Sequence, residues 1–247
     1  MAMPSRLTHQ ADLEALASPD GYISICGYGS LLSERSARTT FPNLANYRIA
    51  RLTGFRRLFT VTGGFFFAHH VANIKTQEIA ALSVEPCEGE IIAVAVFEIK
   101  KTEIPAFIER EREYRFLAVV PESLDAKPFT NPARAGKNIL NNTENIRSIR
   151  FGGMMFYHAV LLAAKSLGDE VYNNFLDHTF LADRKTTIRQ YLENVGANIM
   201  EEEPPESLKT RYGASGTRVT LANFEWNGGG KRQNKRSCFL LQDILIN

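Results

Sequence analysis

The stretch Tyr22-Ile23-Ser24-Ile25-Cys26-Gly27-Tyr28-Gly29-Ser30-Leu31-Leu32-Ser33 constrains the fold more than any other part of the chain. Tyr22 to Cys26 is a short apolar run, the pattern of a buried strand. The run stops at Gly27 and Gly29, and Ser33, a good N-cap residue, opens a polar helical segment at Glu34. A strand that turns at glycine into a helix leaves backbone N–H groups unpaired beside the positive end of the helix dipole. Such donors suit a carboxylate or a developing oxyanion. Glycine at 27 and 29 allows positive φ and removes the Cβ atoms that would hold a ligand off the backbone. The plainer alternative is a tight connection between packed elements.

Further strands follow in the first half. Residues 47–62 alternate well enough for one or two half-buried strands. Glu78 to Val84 and Glu90 to Ile99 are two more, with Pro86 to Gly89 as a turn between them, and Tyr114 to Val120 ends the set at Pro121. The run Ile91-Ile92-Ala93-Val94-Ala95-Val96-Phe97 is nearly all apolar and suits a strand covered on both faces.

One clear helix lies among them, from Thr102 to about Glu113. Ile104, Phe107 and Ile108 stand at i, i+3 and i+4, and the i+7 position of that core-facing stripe is Glu111. Burial without a compensating charge moves a carboxylate toward the range useful for proton transfer near neutral pH. The competing readings are a frayed helix end or a structural ion pair with Arg115, Arg56 or Arg57. Glu109, Arg110, Arg112 and Glu113 fall mostly on other faces, where a solvated charge is expected. Tyr114, three residues after Glu111 on the same helical face, is a candidate pocket wall or hydroxyl partner.

Beyond residue 130 the period changes. A flexible connection over 131–145 leads to an apolar helix from Met154 to Leu167, an amphipathic segment from Glu170 to Phe180, and a helix capped by Asp183 that ends before Gly196. Val219 to Trp226 and Cys238 to Ile246 read as strands or a strand and a short helix, so the stretch is a mainly helical extension with terminal strands. The expected organisation is an N-terminal arm over 1–20 with a short helix, a core over 21–130 and this extension over 131–247.

Composition narrows the function classes. With 247 residues, 44% of them hydrophobic, the chain buries a substantial core, and a net charge of +2 argues against a nucleic-acid partner. No apolar run reaches the ~18 residues of a membrane span, and no secretory leader is evident. Three scattered cysteines, Cys26, Cys87 and Cys238, favour a reducing, cytoplasmic setting. Adjacent His69 and His70 would point to opposite faces of a strand, so no metal site is expected there. His158 and His178 read as structural, and the basic run after Gly228-Gly229-Gly230 as a solvated loop.

Three segments taken together resemble a known family. Tyr28-Gly29-Ser30-Leu31 is similar to the Tyr-Gly-Ser-Leu loop of the gamma-glutamylcyclotransferase-like superfamily. Gly54-Phe55-Arg56-Arg57 resembles its Gly-aromatic-Arg-Arg segment, and Arg110-Glu111 its catalytic Arg-Glu or Gln-Glu element. They fall in the family's order over residues 22–120. Two departures stand beside them: the family's Leu-Asp pair ahead of the glutamate is replaced by Phe107-Ile108, and the chain beyond about 150 matches nothing in the family core.

The resemblance implies an α+β fold, a small mixed β-barrel or sheet of about five to six strands with flanking helices. It also implies a reaction, intramolecular aminolysis of a γ-glutamyl amide to 5-oxoproline with release of an amine or amino acid. Glu111 would be the catalytic acid and base. Tyr28, Gly29, Ser30, Leu31 and Tyr114 would bind the small-molecule substrate, Ser30 adding its hydroxyl, with neither cofactor nor metal. A non-catalytic binding module on the same fold is the alternative, in which Glu111 would be salt-bridged or solvated.

Overall fold

A computed structural model describes residues 5–61, 67–68, 79–112, 114–124, 138–142 and 154–194. Met1–Gly213 form one compact unit and Ala214–Asn247 a second, and every described residue lies in the first. The expected terminal strands, His69-His70 and the basic run after Gly228 lie outside the described residues, as does the side chain of His158.

The strands are β1 (Ser5–Leu7), β2 (Tyr22–Gly27), β3 (Ala45–Val61), β4 (Ala81–Lys100), β5 (Arg115–Val119), β6 (Asn138–Asn142) and β7 (Thr179–Phe180). The helices are α1 (Gln10–Glu14), α2 (Glu34–Arg38), α3 (Ile104–Arg110), α4 (Met154–Ser166), α5 (Asp169–Asp177) and α6 (Ile188–Asn194). All strands join one mixed sheet in the order β1-β5-β6-β2-β4-β3-β7, with β2–β6 and β3–β7 parallel and the other neighbours antiparallel. The expected α+β sheet with flanking helices is present, and among the described residues it does not close into a barrel. Among the described residues its end strands are the short β1 and β7. An isolated antiparallel bridge links β3 to the chain after β5, where Arg51 and Glu122 exchange backbone hydrogen bonds of 2.9 Å. Within the expected N-terminal arm, Ser5–Leu7 pair as β1 on β5 and Leu13 of α1 is buried.

β4 corrects the sequence reading most sharply. Pro86 to Gly89 carry turn chemistry, yet the chain runs through them as one strand. Pro86 pairs with Phe55 and Ile91 with Thr53, so Cys87 to Glu90 bulge out opposite Gly54 alone. The bulge needs glycine on both strands, φ +85° at Gly89 and +82° at Gly54, and it tolerates a proline that a regular central ladder would reject. Past it, Ile92 to Phe97 are buried, as a strand covered on both faces requires.

Two apolar clusters cover the sheet. One gathers Cys26, Tyr28, Phe59, Val94 and Val96 with Leu161 of α4 and Phe175 of α5. The other packs Ile23, Ile25, Phe97 and Phe116 against Leu13, Phe41, Ile104 and Phe107 from the α1–α3 side. Ser33 caps α2 as expected, its Oγ accepting the Ser36 N–H at 3.1 Å. Ser33→Ala should lower stability by about 1 kcal/mol, read as a shift in the urea midpoint at unchanged m-value. At α6, Thr187 and not Asp183 caps the helix: Thr187 and Gln190 exchange backbone-to-side-chain hydrogen bonds of 3.0 and 3.2 Å. Asp183 instead takes the Lys185 and Thr186 N–H groups of the preceding turn, both at 2.9 Å.

Candidate active site

After β2 the chain turns back so that Leu31 packs against Gly27. A Cβ on Gly27 would stand 2.3 Å from the Leu31 Cβ, so glycine is needed for close approach. Positive φ is not the reason: neither Gly27 nor Gly29 has it, and Gly29 sits at φ −125°. One turn of 3-10 helix, Ser30–Leu32, follows, and α2 begins after Ser33. Leu32 donates to the Gly29 carbonyl at 2.9 Å and Ser33 to the Ser30 carbonyl at 3.3 Å. Among the described residues no backbone carbonyl takes the N–H of Gly29, Ser30 or Leu31.

The carboxylate arrives from α3. The helix is shorter than its periodicity suggests, because Arg110 is its last residue and Glu111 is the C-cap, at φ −109° and ψ 26°. Glu111 keeps its N–H on the Phe107 carbonyl at 3.1 Å and accepts the Tyr114 N–H at 2.9 Å. Tyr114 therefore stands on a capping turn rather than on the helical face expected of it. Burial follows the stripe: Ile104 and Phe107 are buried, and Glu111 is only 5% exposed.

Tyr28, Gly29, Ser30, Leu31, Glu111 and Tyr114 line one hollow, closed on another side by Leu82 of β4. All six residues singled out from the sequence are thus brought together. Leu82 was not singled out, and its place in an ordinary strand gives no signal. The hollow measures about 20 Å³, room for little more than a water molecule.

Electrostatics at the hollow are set by three groups. Burial raises the Tyr28 pKa well above its ordinary value, and Tyr114 and Glu111 raise it further, so the phenol stays a neutral donor. Its hydroxyl lies 3.5 Å from the Leu82 carbonyl. Glu111 carries an ion pair, but with its neighbour in sequence: Arg110 Nε donates to Glu111 Oε1 at 3.1 Å, both side chains being almost fully buried. Arg110 is therefore not a solvated charge. Its Nη atoms donate to the Ser36 carbonyl at 2.9 Å, Ser36 Oγ at 3.0 Å and Thr40 Oγ1 at 2.7 Å, with a longer contact of 3.5 Å to Ser30 Oγ. That it stands at i+3 from Phe107 is the signal that could have placed it inside.

Of the two adjacent arginines on β3, Arg56 pairs with Glu85 at 2.6 Å and Arg57 turns inward. Among the described residues Arg57 meets no carboxylate; it donates to the Tyr28 carbonyl at 3.0 Å. Beside the turn, Cys26 is buried and its thiol is pushed up to about 12 by that burial, although Arg57 pulls the other way. A neutral thiol is no nucleophile, which argues against an acyl-enzyme on sulfur. Alkylation of Cys26 in the native protein at pH 8 should run on the order of 10³-fold slower than in the unfolded chain, as followed by mass spectrometry. His178 caps α5 and its Nδ1 lies 2.6 Å from Glu90 Oε2. Among the described residues no group of three His, Cys, Asp or Glu is placed to hold a metal, and no helix is long and apolar enough to cross a membrane.

No family model matches the sequence, and no curated protein matches it. Solved structures of similar shape include a gamma-glutamyl cyclotransferase. It is 15% identical and aligns over 59% of this chain and 79% of its own, with a TM-score of 0.46. An uncharacterized protein from Homo sapiens, also 15% identical, aligns over 62% of this chain and 85% of its own at a TM-score of 0.49. A protein from Arabidopsis thaliana solved in solution aligns over 49% and 67% at a TM-score of 0.34 and 15% identity.

Proposed function

We propose that this chain is a gamma-glutamylcyclotransferase-like enzyme that converts a γ-glutamyl amide to 5-oxoproline and a free amine or amino acid. The observation that carries this reading is the convergence of a buried carboxylate, Glu111, and the Tyr28–Leu31 turn on one hollow. Glu111 takes a proton from the substrate's α-ammonium. The freed amine attacks the γ-carbonyl carbon, forming the ring C–N bond and placing the electron pair on oxygen. Backbone N–H groups of the turn hold that oxyanion, at little cost in reorganisation because they are fixed before the reaction. When the tetrahedral centre collapses, the electron pair returns from oxygen, the bond to the leaving nitrogen breaks and that nitrogen takes the proton from Glu111; the ring nitrogen then gives its second proton to Glu111, which passes it to the departing amine, so the products are the neutral lactam and an ammonium. Neither a cofactor nor a metal is needed for these steps. A substrate is much larger than the hollow, so widening on binding is part of the reading. A reducing, cytoplasmic setting fits a chain whose Cys26 and Cys87 are both free thiols.

The test is 5-oxoproline release across γ-glutamyl amino acids, γ-glutamylamines and glutathione-like peptides. Turnover of at least one class is expected, and no release from any of them would overturn the reading. A second reading, a non-catalytic small-molecule or protein-binding module, is favoured by one observation, the Arg110–Glu111 pair. It predicts saturable binding of a γ-glutamyl compound without product.

A further inference from the structure

Arg57 is fully buried, and among the described residues its hydrogen-bond acceptors are all neutral. Nε donates to the Tyr28 carbonyl at 3.0 Å, Nη2 to the Ala93 carbonyl, and Nη1 to Asn174 Oδ1 at 3.4 Å. The guanidinium carbon also lies 4.9 Å from the centre of the Phe175 ring. Burial draws the pKa of Arg57 down to about 9, so it remains a cation at neutral pH. A buried cation with only dipoles around it persists where those dipoles are held in place.

Two of those supports, Asn174 and Phe175, belong to α5, far along the chain from the turn. Asn174 is itself pinned: its Oδ1 accepts the Ala93 N–H at 2.7 Å and its Nδ2 donates to the Ile91 carbonyl at 2.8 Å. The reason lies in the sheet. β2 leaves β4 at the Gly27–Ala95 pair, and the next backbone groups of β4, at Ala93 and Ile91, are met by Asn174 and Arg57 instead of by a strand. The two side chains complete the ladder where β2 turns away to form the site.

The consequence reaches the turn through one peptide plane. The Tyr28 C=O and the Gly29 N–H belong to the same planar trans peptide and point in opposite directions. A guanidinium that fixes the carbonyl therefore fixes the N–H, and its charge strengthens that N–H as a donor. We propose that Asn174, acting through Arg57, is a positioning residue that orients the Gly29 N–H toward the reacting oxygen. The proposal rests on the cyclisation reading for the identity of that oxygen, but not for the orientation itself.

The test uses the full chain with Asn174→Ala, Asn174→Ser, whose hydroxyl sits one bond closer to the backbone than Oδ1 and falls short of Arg57, and Asn174→Asp, which keeps an oxygen acceptor at the reach of Oδ1. In Asn174→Ala the 5-oxoproline kcat should fall about 10-fold, less than loss of an oxyanion donor outright, with KM within about 2-fold. Asn174→Asp should recover most of kcat. In ¹⁵N-glycine-labelled protein the Gly29 amide resonance should move in Asn174→Ala and return toward its parent position in Asn174→Asp. An unmoved Gly29 resonance in Asn174→Ala, or equal kcat losses in the Ala and Asp variants, overturns the proposal. If Asn174→Ala does not fold, the Ser and Asp variants are compared with the parent, and a Gly29 resonance displaced as far in Asp as in Ser overturns it. If the parent makes no 5-oxoproline, the cyclisation reading fails and the Gly29 resonance alone decides the positioning.

Discussion

Glu111→Gln is expected to lower 5-oxoproline release roughly 10²–10⁴-fold, the range a single general acid–base group supplies, with KM changed by no more than about 2-fold. Glutamine fills the same space beside the Tyr28–Leu31 turn, but it neither accepts the proton of the α-ammonium nor returns it to the leaving nitrogen. Because Glu111 is buried and ends α3, the isosteric change is the one that spares the fold. Steady-state kinetics on the best γ-glutamyl substrate measure the effect, and circular dichroism checks that the variant is folded. Parent-like turnover in Glu111→Gln would remove Glu111 from the chemistry.

The second large effect is on stability. Arg110→Ala removes one member of an ion pair whose side chains are 2% and 7% exposed. It also cuts the ties from α3 to Ser36 and Thr40 beside the site turn. Breaking a buried pair from one side costs about 3–5 kcal/mol, against about 0–1 kcal/mol for an exposed pair. Urea unfolding should show that loss, and Arg110→Ala/Glu111→Gln should be more stable than Arg110→Ala alone, because the carboxylate left behind is then neutral. A loss under about 1 kcal/mol would mean that the pair does not hold α3 against the turn. The outcome also bears on the binding-module reading, which assigns Glu111 to that structural task alone.

Much of the site was legible because it depends on local rules. An apolar run stopped by glycine placed β2, Ser33 announced the α2 cap, and the spacing Ile104, Phe107, Ile108, Glu111 put a carboxylate inside. What could not be read depends on tertiary contacts. Pro86 to Gly89 have the residues of a turn, and only pairing with Phe55 and Thr53 makes them a bulge in one long strand. The end of α3 at Arg110 has no glycine to mark it, so the periodicity overran into the capping turn that carries Tyr114. Period-2 alternation says that one of Arg56 and Arg57 points inward, but not which one, nor that it would meet carbonyls in place of a carboxylate. Asn174 has no local signature, since its three partners come from β3 and β4.

The central claim is spatial: the proton acceptor and the oxyanion donors face each other across one hollow. A crystal structure with 5-oxoproline bound tests it most directly. The account predicts the lactam N–H within hydrogen-bond distance of the Glu111 carboxylate and the lactam oxygen on backbone N–H groups between Gly29 and Leu31. The lactam seated elsewhere, with Glu111 held on Arg110 and the turn untouched, would contradict it.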